Sequence, residues 1–526
     1  MSHQWWQRGI IYQIYPRSFM DSNGDGTGDL PGILARLDHV VDLGIDAIWI
    51  SPIFPSPMAD FGYDVANYTD VDPIFGTLGD LDRLVEAAHA RGVRVLLDYV
   101  PNHTSDRHPW FEASRRDRGD PQRDWYIWRD PAPDGGVPNN WLSVFGGSAW
   151  TWDQRTQQYY YHAYLEEQPD LNWRNPATRA AMLDVLRFWL DRGIDGFRID
   201  ALRQVIKDAE FRDDPPDPTW TPDRSPYNSL RHAHSNDQPE LMDVVHQFRA
   251  VTDQYAERLL IGELYLPIER LVAYYGVQGR GLHLPFNFHL ILTPWQATAV
   301  AALIETYEAA LPPDAWPNWV LGNHDQPRVA SRIGAAQARV AAMLLLTLRG
   351  TPTIYQGEEI GMHDVAIPPA AIKDPVARNL PGLGLGRDPE RTPMQWDAGP
   401  HAGFSTAEPW LPLADDYQSA NVAVQAGDSG SMLSLYRRLI ALRRASPALS
   451  VGAYRRRYVE EDVLVYARTE GADEVRIALN FGHAPRRLPP AVAAGRRVVL
   501  STHLDTAAEP TMLRADEGLV LRRSAQ

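Results

Sequence analysis

Short apolar runs alternate with amphipathic stretches along most of this chain, and that alternation constrains the fold more than any other feature. The runs occupy residues 10–15, 47–51, 93–100, 196–200, 259–263, 282–288, 319–323 and 351–355. Each has the length of a buried strand, and several are separated by segments with apolar residues at helical spacing, such as 30–43, 81–91 and 178–192. Gly44, Gly92 and Gly193 follow these three segments, where a helix commonly stops on a residue of positive φ. Eight strands interleaved with helices predict a parallel α/β architecture, the (β/α)8 TIM barrel.

The spacing is uneven. Residues 104–170 are rich in Trp, Tyr, Asp, Pro and Arg without sustained helical period, so a subdomain inserted after the third strand is expected there. Residues 211–239 and 366–407, dense in Pro, Asp and Gly, read as long loops at the same rim. Beyond residue 451 the pattern changes to strands at 462–468, 474–480, 497–500 and 518–522. The expected organisation is a barrel over 1–103 and 171–450, an inserted subdomain over 104–170 and a C-terminal all-β sandwich over 451–526.

In such a barrel, polar residues at the carboxyl ends of strands meet at one mouth. Here the third strand ends in DYVPNH, the fourth in GFRID, the fifth in LLIGE and the seventh in GNHD. Arg198 and Asp200 alternate with apolar neighbours and should share a face, so the arginine should hold Asp200 ionised at low pKa. One such pair at a strand end can be a structural ion pair. Three acids from three strands, joined by two histidines and an arginine, point to a site. A retaining glycosidase needs one carboxylate as nucleophile and a second as acid and then base. Asp200, beside its arginine, suits the first role, and Glu263, closing an apolar strand, suits the second.

Taken together, DYVPNH (98–103), GFRIDA (196–201), the strand ending at Glu263 and NHD (323–325) resemble the four short motifs of the α-amylase superfamily, glycoside hydrolase family 13. QPDLNW (168–173) and RTPMQW (391–396) resemble its α-glucosidase and oligo-1,6-glucosidase branch. The resemblance implies Asp200 as nucleophile, Glu263 as acid and base, and Asp325 as the third acid. It also implies that Asp60, Tyr63, His103, Arg198, His324 and Arg391 line the pocket for a terminal glucose, closed at its far end by Asp60, Tyr63 and Arg391. Ala201 stands where members favouring α-1,6 linkages carry valine, so α-1,4 or broader acceptance is expected. Tyr164 stands where related enzymes often carry phenylalanine in the glucose pocket.

The implied activity is that of a retaining, exo-acting α-glucosidase on short, maltose-like oligosaccharides, with glucosyl transfer to hydroxyl acceptors. Sucrose- or trehalose-acting hydrolases, isomerases and transglucosylases share the scaffold and form the alternative. Inactive interaction modules of similar fold lack the acids that this chain has.

Oxygen-bearing residues recur at alternate positions in DSNGDGTGDL: Asp21, Asn23, Asp25 and Asp29, with Thr27 able to offer its carbonyl. The loop is not an EF-hand, because its twelfth position is Gly32 and no helix precedes it. With the resemblance to the branch's metal loop, it predicts a structural Ca2+ (or Mg2+), and no organic cofactor is expected. The chain carries 51 basic and 67 acidic residues, a formal net charge of −16. It has no basic arm, so nucleic acid and anionic membrane are not expected partners, and a small oligosaccharide is. Cysteine is absent, which excludes disulfides and thiolate chemistry. The amino terminus has no charged segment followed by an apolar core and cleavage site, so a cytoplasmic location is expected.

Overall fold

A computed structural model of the protein describes residues 3–524 other than 507. Residues 1–2 and 525–526, at the outer ends of the expected first and last domains, lie outside this description. Eight parallel strands form one sheet: β1 (Ile11–Ile14), β2 (Ala47–Ile50), β3 (Arg94–Tyr99), β4 (Gly196–Ile199), β5 (Leu259–Glu263), β6 (Leu284–Phe286), β7 (Asn318–Val320) and β8 (Thr351–Tyr355). Hydrogen-bonded neighbours run in the order β7-β8-β1-β2-β3-β4-β5-β6, and the two end strands lie against each other to close the barrel.

The strands read as continuous apolar runs because both their faces are covered. Alternate residues Ile11, Trp49, Leu96, Ile261, Phe286 and Val320 fill the barrel interior. Their neighbours Tyr12, Ile48, Ile50, Leu97 and Ile199 pack outward against the helices. Register decides what meets at the mouth: Asp98 pairs with Arg198, and Arg198 with Ile261. Gly196 permits this at the base of β4, where φ is 154° and an added Cβ would lie 2.1 Å from the Leu259 carbonyl oxygen.

Several predicted bounds move. The helix expected over 30–43 is broken at Arg36 into Leu30–Ala35 and Leu37–Leu43. The helix expected from 81 begins at Leu78, because Thr77 and Asp80 cap each other's backbone N–H groups in a capping box. The strand expected over 319–323 is Asn318–Val320, leaving NHD in a loop.

Between β3 and β4 lies a three-stranded antiparallel sheet of Trp128–Arg129, Gln158–Tyr161 and Trp150–Asp153. Bridges His103↔Asp170 and Tyr126↔Leu171 tie the start and end of this insertion together. A five-stranded antiparallel sheet follows the barrel: β9 (Ala453–Glu460), β10 (Val463–Glu470), β11 (Asp473–Asn480), β12 (Arg496–Ser501) and β13 (Gly518–Arg523), ordered β9-β10-β11-β13-β12. The strand β9 had no apolar alternation to predict it, since YRRRYVE forms a largely exposed edge. Among the described residues no helix is long and apolar enough to cross a membrane.

Candidate active site

Arg198 organises the mouth of the barrel. Fully buried, it places Nη1 2.7 Å from Asp98 and 2.6 Å from Asp200, and Nη2 3.0 Å from Glu263 Oε2. Glu263 Oε2 also accepts the Ala201 N–H at 2.8 Å, so the end of its apolar strand is a polar setting. Asp98 Oδ2 accepts from Trp49 Nε1 and from the Tyr63 hydroxyl, both at 3.1 Å.

Three carboxyls around one guanidinium are not fully compensated. Burial pushes Asp200 well above the usual carboxylate range; Arg198 pulls it down, while Glu263 and Asp98 push it up again. Asp98 rises to about 6 by the same balance. The low pKa expected for Asp200 from its arginine is therefore corrected: that charge is shared three ways, and desolvation outweighs it.

Asp325 is the opposite case. Burial acts against its charge, but two arginines overcome it and hold the carboxyl far below its ordinary range. Arg391 Nη2 lies 2.5 Å and Arg387 Nη1 3.2 Å from Asp325 Oδ1. The other neighbour, His324, is kept neutral by burial, which pushes its pKa well down, so the guanidiniums carry the effect. The His324 ring lies nearly parallel to those of Tyr15 and Tyr63, at centroid distances of 5.6 and 5.4 Å. Its Nδ1 faces the Gln13 amide at 2.7 Å and its Nε2 the Tyr63 hydroxyl at 2.7 Å.

A cavity of about 360 Å³ opens over these groups. Asp60, Tyr63, His103, Tyr164, Asp200, Ala201, Glu263 and Asp325 line it, whereas Arg198, His324 and Arg391 stand behind the lining. Tyr164 donates its hydroxyl to Gln204 Oε1 at 3.2 Å. Closure of the far end differs from expectation. Arg391 is buried behind Asp325, and it is Arg387 that reaches the cavity, pairing with Asp60 at 2.7 Å and Asp374 at 2.7 Å. The rim comes from the insertion through Phe145, from the 211–239 loop through Tyr227 and Asn228, and from Val376 and Leu385. A larger cavity of about 760 Å³ lies beside it, but none of the three acids lines it, and Phe145, Leu165 and Val376 pack between the two.

The family described as "Alpha amylase, catalytic domain" matches residues 13–452. The chain belongs to this family. A family described only as a domain of unknown function (DUF3459) matches 453–521, the antiparallel sheet. A probable alpha-glucosidase of Rhizobium meliloti is 44% identical over 505 residues, covering 92% of this chain and 91% of the relative. The crystal structure of an alpha-glucosyl transfer enzyme, XgtA, superposes with a TM-score of 0.93 at 41% identity, covering 99% of this chain and 100% of the other. The trehalulose synthase MutB of Pseudomonas mesoacidophila superposes with a TM-score of 0.89 at 34% identity and the same coverage. This α-amylase-family chain is thus a glycoside hydrolase with α-glucosidase relatives.

Arg391 was expected in the pocket in preference to Arg387, since two arginines stand four residues apart in this loop and only the loop path separates lining from backing. Gln168 was missed: its amide reaches Asp60 Oδ2 at 3.2 Å. In the Asp21–Asp29 loop the oxygens serve the loop's own N–H groups. Asp21 accepts from Asn23, Gly24 and Gly26, Asn23 from Asp25, Asp25 from Thr27, and Asp29 from Ser22 and Gly32. Among the described residues no three His, Cys, Asp or Glu side chains gather as a metal cage. An all-oxygen donor set of one amide, several carboxylates and a carbonyl nonetheless matches a hard cation.

Proposed function

We propose that the protein is a retaining, exo-acting α-glucosidase that removes the terminal non-reducing glucosyl residue of short α-1,4-linked oligosaccharides such as maltose. Asp200 attacks the anomeric carbon while Glu263 protonates the departing glycosidic oxygen, giving a β-linked glucosyl ester on Asp200. Glu263, now ionised, takes a proton from water, which attacks the same carbon, frees Asp200 and returns the α configuration. A sugar or alcohol hydroxyl in place of water gives glucosyl transfer. Asp325, kept ionised by Arg387 and Arg391, accepts ring hydroxyls and favours the flattened, cationic transition state. Asp60 and Arg387 close the far end, so one glucose fits and long polymers are poor substrates.

The observation that carries this reading is the single Arg198 guanidinium bridging Asp200 and Glu263 within one closed pocket. NMR analysis of products from maltose, isomaltose, sucrose and trehalose tests it. α-Glucose released first, with maltose preferred, is expected; β-glucose first removes Asp200 as nucleophile. The similarity to a trehalulose synthase supports the second reading, a sucrose-converting enzyme, which the same assay distinguishes.

We also retain the Asp21–Asp29 loop as a structural Ca2+ or Mg2+ site, supported by its donor set. Bound metal measured on purified protein, with a fall in Tm on chelation, is the expected result. A metal-free protein with unchanged Tm rules the site out.

A further inference from the structure

The His103 ring has neighbours on both nitrogens. Asn102 Nδ2 lies 3.1 Å from Nδ1, and the Tyr63 carbonyl oxygen lies 3.2 Å from Nε2. An amide can turn either face to an imidazole, so Asn102 alone does not decide which nitrogen carries the proton. Lys207 does. Its buried ammonium has three donors and no acceptor; it pairs with Asp170 and donates to Asn102 Oδ1 at 2.9 Å. An amide that gives its oxygen to an ammonium must turn its NH2 to the ring, and Nδ1 must then receive it with a lone pair. The Tyr63 carbonyl, only an acceptor, favours the same arrangement at the other nitrogen, but the Gln168 NH2 faces that nitrogen too, so the Nδ1 side decides. Burial, followed by the charge of Lys207, pushes His103 down to about 3, so the ring is neutral and carries one proton.

We propose that Lys207 is a positioning residue that fixes His103 as its Nε2–H tautomer through Asn102, so that the ring offers a donor to a substrate hydroxyl. Gln168 Nε2 also lies 3.1 Å from Nε2. Gln168 is oriented elsewhere, its Oε1 accepting from Leu165 N–H at 3.1 Å and its amide donating to Asp60. The two donors therefore stand side by side, a contact that an incoming hydroxyl oxygen relieves by accepting from them. The hydroxyl belongs to the α-glucosidase reading; the tautomer does not depend on it.

Neutron diffraction from deuterated crystals of the intact protein tests the tautomer without any substrate. Deuterium on Nε2 and none on Nδ1 is expected, and deuterium on Nδ1 overturns the proposal whatever the enzyme acts on. Lys207→Met takes the ammonium from Asn102 Oδ1 and leaves only Asp170 to orient that amide, so a mixture of tautomers is expected, with KM for maltose raised about tenfold and kcat changed less. Lys207→Arg, still a donor only, should restore the Nε2–H form. An unmixed Nε2–H ring in Lys207→Met overturns the positioning role. Should the methionine variant fail to fold, Lys207→Gln, whose amide can turn either an oxygen or an NH2 to Asn102, takes its place with the same expectation.

Discussion

Asp98, Asp200 and Glu263 share one guanidinium, and this shortage of positive charge is the main electrostatic fact of the site. Asp98 takes up a proton as pH falls through about 6, and acidification also protonates Asp200, the carboxylate proposed as nucleophile, whose pKa is raised as well. The specificity constant kcat/KM should therefore fall as the medium is acidified. In Asp98→Asn one repelling charge is gone, so the acid limb should move down by roughly one pH unit, and an unmoved limb contradicts the sharing. The stability sign follows from the raised pKa. The folded state holds protons on Asp98 that the unfolded chain releases near 3.8, so its contribution is present below that value. It is lost as pH rises to about 6, by on the order of 3 kcal/mol. Ala201 adds strain, with φ of 48° at a buried pocket position. Ala201→Val puts a β-branched residue in that region and should lower stability by about 1–2 kcal/mol in thermal melts. The same variant narrows the cavity that Ala201 lines, and the ratio of isomaltose to maltose turnover should change with it.

At the scale of elements, the loop that follows β8 supplies two arginines with different work. Arg387 reaches the cavity between Asp60, Asp325 and Asp374, whereas Arg391 is sealed behind Asp325 and donates Nε to the His324 carbonyl at 2.8 Å. Arg387→Ala should raise KM for maltose at least tenfold. Both Arg387→Ala and Arg391→Ala should destabilise the fold by about 3 kcal/mol, because each removes a partner from buried carboxylates. Steady-state kinetics beside chemical denaturation separates the two, and a KM rise as large in Arg391→Ala would contradict the distinction. The strands and their terminal acids were legible in the sequence, because a strand buried on both faces must be apolar until it ends. The division of labour between Arg387 and Arg391 was not, since both occupy the same irregular loop and no periodicity reports which way a loop side chain points. The edge strand β9 escaped for a related reason: one exposed face and a run of arginines carry no apolar signal.

For the whole molecule, the barrel and the C-terminal sheet share one continuous apolar core, in which Leu464, Tyr466, Val475 and Leu479 join Val340, Leu344 and Leu346. A buried arginine fastens the junction: Arg468, from the sheet, donates to the Thr347 carbonyl of the barrel, while Arg443, within the barrel, ties down the same segment through the carbonyls of Leu346, Leu348 and Gly350. Calorimetry should therefore record one cooperative unfolding transition, and two separated transitions would show that the sheet folds independently. The amino-acid sequence by itself determined the barrel, the insertion, the all-β tail and the acids at the strand ends. These follow from local periodicity, and from the rule that a buried strand exposes its chemistry only at its terminus. The tertiary structure alone decided the three-way sharing of Arg198, the raised carboxyls, the arginine that reaches the sugar pocket and the tautomer set by Lys207. Each of these depends on distances between residues far apart in the chain, and charge, burial and hydrogen-bond direction are properties of that spatial arrangement.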